Sequence, residues 1–253
     1  MTPPISLQLY TLRDLLAQDF EGTIRKVADM GFVGVETANM FGGSPASAAR
    51  LFGELGLTVS GAHSPLPLGD QKQKVIDTLG ALDCERLIVA WQPPEKYKSL
   101  DGIKSICDTL NEGAAVARAH GFQVGYHNHW FEYQPVENRI PVDVMLEHLD
   151  PAVFFEVDTY WVQTAGQDPA QVVRRLGARA PLLHVKDGPC QLEAPMTALG
   201  EGVVDIPSVV AAGAGSTEWL VVELDQCATD MLEAVRKSYQ YLIEKGLGRG
   251  NKN

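Results

Sequence analysis

The sequence predicts a single-domain α/β fold, the (β/α)8 barrel. Eight short runs of β-branched and aliphatic residues recur along the chain at a spacing of roughly 30 residues, the length of one βα unit. Segments of helical period lie between most of them, so each helix returns the chain to a new strand. Runs such as Leu87–Ala90 and Leu220–Val222 have no internal polar alternation, as expected for parallel strands covered on both faces. The 253 residues match the usual size of about 250 for eight such units. A doubly wound open sheet is the competing arrangement. It would place G-x-G-x-x-G after the first strand, where this chain has Ser6, Gln8 and Tyr10 instead.

Taken in order, a strand is expected over Ile5–Tyr10, then a helix over Phe20–Met30 whose Ile24, Val27 and Ala28 form its apolar side and which Gly31 closes. The second strand, Val33–Thr37, precedes a helix over Ser44–Leu55 closed by Gly56. Thr58–Ala62 and Leu87–Trp91 are the next strands, with a helix over Lys72–Leu82 between them. The helix Ile103–His120, ended by Gly121, leads to Gln123–His127; Val142–Leu149 then leads to Val153–Asp158, and Pro169–Leu176 to Leu182–Lys186. Trp219–Leu224 and the helix Asp230–Lys245, with Gly246 after it, complete the series; no helix is assigned between the last two strands. No change of composition divides the chain, so residues 1–247 are read as one catalytic domain and 248–253 as a polar tail.

Composition excludes several classes of partner. With 21 Lys and Arg against 32 Asp and Glu, the formal charge of −11 repels nucleic acid and anionic lipid. No apolar stretch approaches the roughly 20 residues of a membrane span. The opening MTPPISLQLYTLRD lacks a basic segment followed by an apolar one, so a cytoplasmic protein is expected. Cys84, Cys107, Cys190 and Cys227 form no C-x-x-C pair and are expected to be inert thiols. Self-association into a homo-oligomer is compatible with all of this, and nothing in the sequence sets the number of copies.

In a barrel of this kind the C-terminal strand ends build the active site. Polar residues gather there: Gln8 and Tyr10, Glu36, His63, Trp91, His127 with His129 and Glu132, Glu156 and Asp158 followed by Trp161, His184 with Lys186, and Glu223. Singly, a His63 or a His184 is more often a hydrogen-bonded core or surface residue than a ligand, and a Glu36 more often a solvated rim charge. Convergence changes that reading, because Asp158, His184 and Glu223 come from three successive strands whose ends lie around one axis. Such groups in an apolar-walled mouth need a cation or a dense hydrogen-bond network. One divalent metal is the expected cofactor, and carboxylate and imidazole donors without thiolate suit Mn²⁺, Mg²⁺, Co²⁺, Fe²⁺ or a catalytic Zn²⁺.

The phrases SLQLYTLR, GFVGVE, YHNHWFEY, EVDTYW, HVKDG and VVELD together resemble the xylose isomerase-like TIM-barrel superfamily, in its sugar phosphate isomerase/epimerase branch. The resemblance implies a metal held by an acidic residue on strand five, Asp on six, His on seven and Glu on eight; the last three fall on Asp158, His184 and Glu223. Strand five departs from the pattern. The expected position holds His127, and Glu132 follows in the loop. Glu132 is taken as the fourth ligand because a third carboxylate better neutralises a hard dication, with His127 as the alternative, and the residue left over serves as acid or base. His127 and His129 share one side of the strand by its two-residue period. Trp161 stands where related epimerases carry His and offers a flat face for a sugar ring.

The resemblance implies proton abstraction next to a carbonyl, with His127, His129, Glu223 and Lys186 as the catalytic residues and Gln8, Tyr10, Glu36, His63, Trp91 and Trp161 contacting substrate. Isomerisation or epimerisation of a sugar is the first expectation. Dehydration or lysis of a keto-sugar, keto-glycoside or inosose is the second, since His127 replaces a carboxylate and Lys186 could neutralise an enediolate. Lys186 paired with Asp187 or Glu156 at the rim is the plain structural alternative. A DNA endonuclease is disfavoured by the charge, and a sugar-binding barrel without turnover by the intact Asp158, His184 and Glu223. Without a Gly-rich phosphate loop, the substrate is expected to be a neutral sugar or polyol.

Overall fold

Each of the eight apolar runs becomes a strand, and four of them leave the ladder one or two residues earlier than their apolar stretch extends. The computed structural model describes residues 2–251, with β1 Ile5–Gln8, α1 Arg13–Gln18, α2 Phe20–Met30, β2 Gly34–Thr37, α3 Pro45–Glu54, β3 Thr58–His63, α4 Lys72–Ala81, β4 Arg86–Val89 and α5 Leu100–Arg118. The second half has β5 Gln123–His127, α6 Pro141–His148, β6 Phe154–Asp158, α7 Thr159–Thr164, α8 Pro169–Leu176, β7 Leu182–Val185, α9 Ile206–Ala212, β8 Trp219–Val222 and α10 Met231–Glu244. All neighbouring strands are parallel, and β8 pairs back onto β1 to close the (β/α)8 barrel. Tyr10, Trp91, Lys186 and Glu223 therefore lie just past the paired strand ends, where the backbone turns outward and side chains can reach the mouth.

Seven of the ten α-helices among the described residues start where a short polar side chain accepts from a free N–H group. Asp19 accepts from Gly22 N at 2.9 Å, Ser99 from Gly102 N at 3.1 Å and Asp230 from Glu233 N at 2.8 Å. Ser44 and Ser47 cap α3 reciprocally. Gly31 ends α2 in the left-handed region (φ 105°). Three helices were not expected from the sequence: α1, α7 and α9. They have six, six and seven residues, under two turns each, too short for a 3.6-residue period to register.

The barrel interior is divided along its axis. At the N-terminal end, Phe154, Leu182 and Trp219 from the starts of three strands pack with Ile88 into an apolar cluster separate from the core outside the barrel. Gly34 and Gly125 make room for it. A Cβ at Gly34 would come within 2.9 Å of the Trp219 ring, and one at Gly125 would overlap the Phe154 ring. Above this plug the interior becomes polar. The outer faces of the strands pack against the helices in the main core, which includes Leu7, Val35, Leu87, Tyr126, Val157 and Leu220.

Residues 248–251 close the opposite end from the mouth. Arg249 N donates to Pro3 O at 2.9 Å and its carbonyl accepts from Ile5 N at 3.1 Å, while Asn251 N donates to Gly31 O at 2.8 Å. This part of the expected tail lies against the barrel; Lys252 and Asn253 lie outside the described residues. No helix among the described residues is long and apolar enough to cross a membrane.

Candidate active site

Two tiers of charged side chains fill the upper interior. The lower tier is set by the ladder register, which puts His127 beside Glu156 and Asp158 beside His184. Glu156 Oε2 is 2.8 Å from His63 Nε2, 3.0 Å from His127 Nδ1 and 3.1 Å from His184 Nε2, so one carboxylate oxygen gathers three imidazoles. Glu36 Oε2 lies 2.8 Å from His184 Nε2 and 3.0 Å from His63 Nε2, and accepts from Gln8 Nε2 at 2.5 Å. In the upper tier Lys186 Nζ is 2.8 Å from Asp158 Oδ2, 2.7 Å from Glu223 Oε2 and 2.9 Å from Asp225 Oδ2. His184 Nδ1 ties the tiers together at 2.8 Å from Glu223 Oε2.

Burial and neighbouring charges divide the histidines. Burial works against the charged form of His63, but Glu36 and Glu156 outweigh it and raise its pKa to about 10. His184 is raised in the same way, by Glu156, Glu36 and Glu223 against burial. His127 is pushed down by burial and by the cationic His184 beside it, and His129 falls to about 4 for burial and Lys186. Burial and the neighbouring cations thereby favour the neutral form of both His127 and His129. Burial raises Asp158 to about 6 despite Lys186, whereas Glu223 is lowered because Lys186 and His184 overcome its burial.

Not every expected residue meets the mouth. A cavity of about 650 Å³ opens there, lined by Tyr10, His63, Trp91, His127, His129 and Glu223 among others. Gln8 and Glu36, expected to contact substrate, are completely buried beneath the histidines and brace them. Trp161, expected to stack on a sugar, is half-buried, with its ring 5.1 Å from Trp130, 5.2 Å from Tyr160 and 5.7 Å from Lys186 Nζ. Glu132, expected as the strand-five ligand, is turned away: it accepts from Tyr126 Oη at 2.5 Å and from His129 N at 2.8 Å. Its 3-10 turn, Phe131–Tyr133, folds it back under the loop, and His127 stands in its place. Lys186 pairs with neither Asp187 nor Glu156. Asp187 instead accepts backbone N–H bonds from Gly188, Gly200, Gly202 and Val204, which order the long loop after β7.

Glu156 and Asp225 take larger parts than their sequence positions suggested. The signal for Glu156 was its two-residue spacing from Asp158, which puts both on one side of β6. Donor atoms of His127, Asp158, His184 and Glu223 all lie within 4.8 Å of one another, and those of His63, His127, Glu156 and His184 form a second, overlapping set. Glu36 Oε1 and Glu156 Oε1 are buried without a hydrogen-bond partner among the described residues. Mixed imidazole and carboxylate donors without thiolate fit a divalent cation, and the buried cluster could hold one in exchange for the present contacts of Lys186 with Asp158 and Glu223.

The sequence matches the description "xylose isomerase-like TIM barrel" over residues 24–244. The chain belongs to the xylose isomerase-like TIM-barrel family. Within it the fold is similar to a sugar phosphate isomerase/epimerase from Parabacteroides distasonis, at a TM-score of 0.84 and 22% identity over 98% of this chain and 96% of that one. It is also similar to an L-ribulose 3-epimerase (TM-score 0.70, 15% identity, 97% and 94% of the two chains). A probable 3-DHS dehydratase involved in petrobactin synthesis from Bacillus anthracis gives a TM-score of 0.77 at 13% identity, covering 95% and 98%. No curated protein matches the sequence. These likenesses show a fold shared by isomerases, epimerases and a dehydratase, and membership of this xylose isomerase-like family makes a sugar-modifying enzyme the coarse reading.

Proposed function

We propose that the chain is a divalent-metal-dependent sugar isomerase or epimerase that removes a proton from the carbon beside a substrate carbonyl. The observation that carries this is the cluster of His127, Asp158, His184 and Glu223 donor atoms within 4.8 Å of one another, beside a mouth that His129 also lines. His127, Asp158, His184 and Glu223 would hold the cation, which when bound polarises the carbonyl and so acidifies the neighbouring C–H. His129, neutral near pH 7, accepts that proton. Lys186, fixed by three carboxylates and buried behind the mouth lining, adds positive charge to the field that would stabilise the enediolate. Glu36 and Gln8 keep the imidazoles of the lower tier in place. Returning the proton to the other face or to the adjacent carbon gives the epimer or the aldose–ketose isomer.

Loss of a β-substituent from the same enediolate is a second reading, favoured by Glu132. Its carboxylate is held by Tyr126 and the His129 backbone, so no second carboxylate stands at strand five to return a proton from the opposite side. Incubating ketoses, keto-glycosides and inososes in D₂O separates the two. Epimerisation gives deuterium at the reacting carbon together with the epimer; lysis gives release of water or of an aglycone. His129→Asn and Glu223→Gln should each abolish both exchange and product. Absence of exchange by the metal-loaded wild type with every such compound would overturn the proposal.

A further inference from the structure

The mouth is chemically lopsided. The charged tiers stand on β5–β8 and on Glu36 and His63, while the wall above β1–β4 is neutral and largely apolar, with Tyr10, Pro65, Leu66, Leu68 and Trp91. Two of the few large hydrophobic side chains left exposed are on that wall: Trp91 is 56% and Tyr10 44% exposed. Neither is loose. Arg13 lays its guanidinium 4.4 Å from the Tyr10 ring centroid and anchors itself to Tyr10 O at 3.0 Å and Asp225 O at 2.9 Å, so the ring is held at the rim. Trp91 is followed by Pro93 and Pro94, whose fixed φ angles stiffen its loop. Exposed aromatics cost hydration free energy unless something covers them, and a pair held at a cavity rim is built to be covered. A second cavity of about 910 Å³ shares Asn39, Ser64 and Pro65 with the mouth, so the cleft continues beyond the barrel axis over β2 and β3. The approximately 650 Å³ mouth alone is larger than one sugar ring requires. No Lys or Arg lines the mouth itself; Arg13, at the Tyr10 ring, is held by the Tyr10 and Asp225 carbonyls, and Lys74 lines the second cavity together with Asp77.

We propose that the ligand of this mouth carries a second, uncharged ring joined to the reacting sugar, and that Tyr10 and Trp91 form the subsite for that ring. The inference deepens the proposed function, since it takes the barrel mouth as the place where the sugar reacts. A flat ring face, whether of an aryl group or of another pyranose, is what two rim aromatics recognise. The reacting sugar then occupies the charged half, and the second ring lies toward β1–β4.

Equilibrium binding of unreactive probes to the purified protein, by calorimetry and tryptophan fluorescence, tests this without turnover. Methyl β-glucoside supplies one ring, phenyl β-glucoside an aryl second ring and cellobiose a sugar one. At least one two-ring probe should bind about 10-fold more tightly than the methyl glycoside, the upper range of a single aromatic contact. Trp91→Ala and Tyr10→Ala should each reduce that preference toward unity, and Trp91→Phe should restore most of it. Which two-ring probe gains tells aryl from sugar. Equal affinity for one-ring and two-ring probes, or a preference that survives both alanine variants, overturns the subsite; so does a Trp91→Ala variant that only changes the oligomeric state in sedimentation, which would make the aromatics a protein contact. Ring preference without deuterium exchange on keto-sugars would sink the proposed reaction and leave the subsite standing.

Discussion

The ammonium of Lys186 lies 2.7 Å from Glu223 Oε2 and is almost completely buried. It is also 2.8 Å from Asp158 Oδ2, so one cation serves two of the four side chains that could hold a metal. Lys186→Met removes the positive charge and leaves Asp158 and Glu223 facing each other. In chelator the variant should lose about 3–5 kcal/mol of stability, the cost of breaking a buried ion pair from one side. Added Mn²⁺ or Mg²⁺ should then raise its melting temperature more than that of the wild type, because the metal replaces the missing charge. Equal metal-induced shifts in the two proteins would argue against a shared cation site.

Gly125→Ala should destabilise the barrel by about 1–3 kcal/mol through overpacking against the Phe154 ring. Phe154→Leu in the same chain should recover part of that loss, since the two changes act on one contact. Urea unfolding of the single and double variants measures the coupling, and strict additivity would mean that the plug is not packed as described.

Burial raises the Glu132 carboxyl to about 7, although hydrogen bonds from Tyr126 and the His129 backbone work in the other direction. Folding therefore favours its protonated form. Its contribution to stability is full below the ordinary carboxyl range near 4.5 and is lost as the pH rises through about 7. Wild type should lose more stability than Glu132→Gln between pH 5 and pH 8, as read from urea midpoints. Parallel pH profiles would refute the assignment.

Cys84 and Cys107 are buried, which pushes both thiols up to about 12; half-buried Cys190 is raised to the same value. A thiol reagent at pH 8 should modify Cys227 first in the native protein, with Cys84 and Cys107 reacting only after unfolding. Peptide mapping by mass spectrometry locates the label, and early modification of Cys84 would contradict the burial.

Much of the architecture was present in local pattern. A strand buried on both faces must be apolar along its length, and a helix that returns to the sheet needs a cap and a stop, so the runs at Val33–Thr37 or Val153–Asp158 and the Gly31 and Gly121 boundaries announce the alternation on which a barrel depends. The convergence of Asp158, His184 and Glu223 followed from the same topology, because closing eight parallel strands brings their C-terminal ends around one axis. What a side chain does once there was decided by its three-dimensional neighbours. Glu132 and His127 are five residues apart and competed for one role on chemistry alone; the Tyr126 hydroxyl and the 3-10 turn after β5 settled which one faces the cluster. Gln8 and Glu36 have the composition of sugar contacts, yet depth in the barrel turns them into braces, while Trp161 packs on Trp130 and Tyr160 with its ring 5.7 Å from Lys186 Nζ. Likewise Lys186 could pair with any of several nearby carboxylates in sequence, and only the register of β6, β7 and β8 placed Asp158 and Glu223 on it. Period and capping act over a few residues and are written in the chain, whereas the Gln8–Glu36 and Glu36–His184 contacts meet across 28 and 148 positions and exist only once the barrel closes; the Tyr126–Glu132 bond spans six positions, and the fold around the end of β5 decides it.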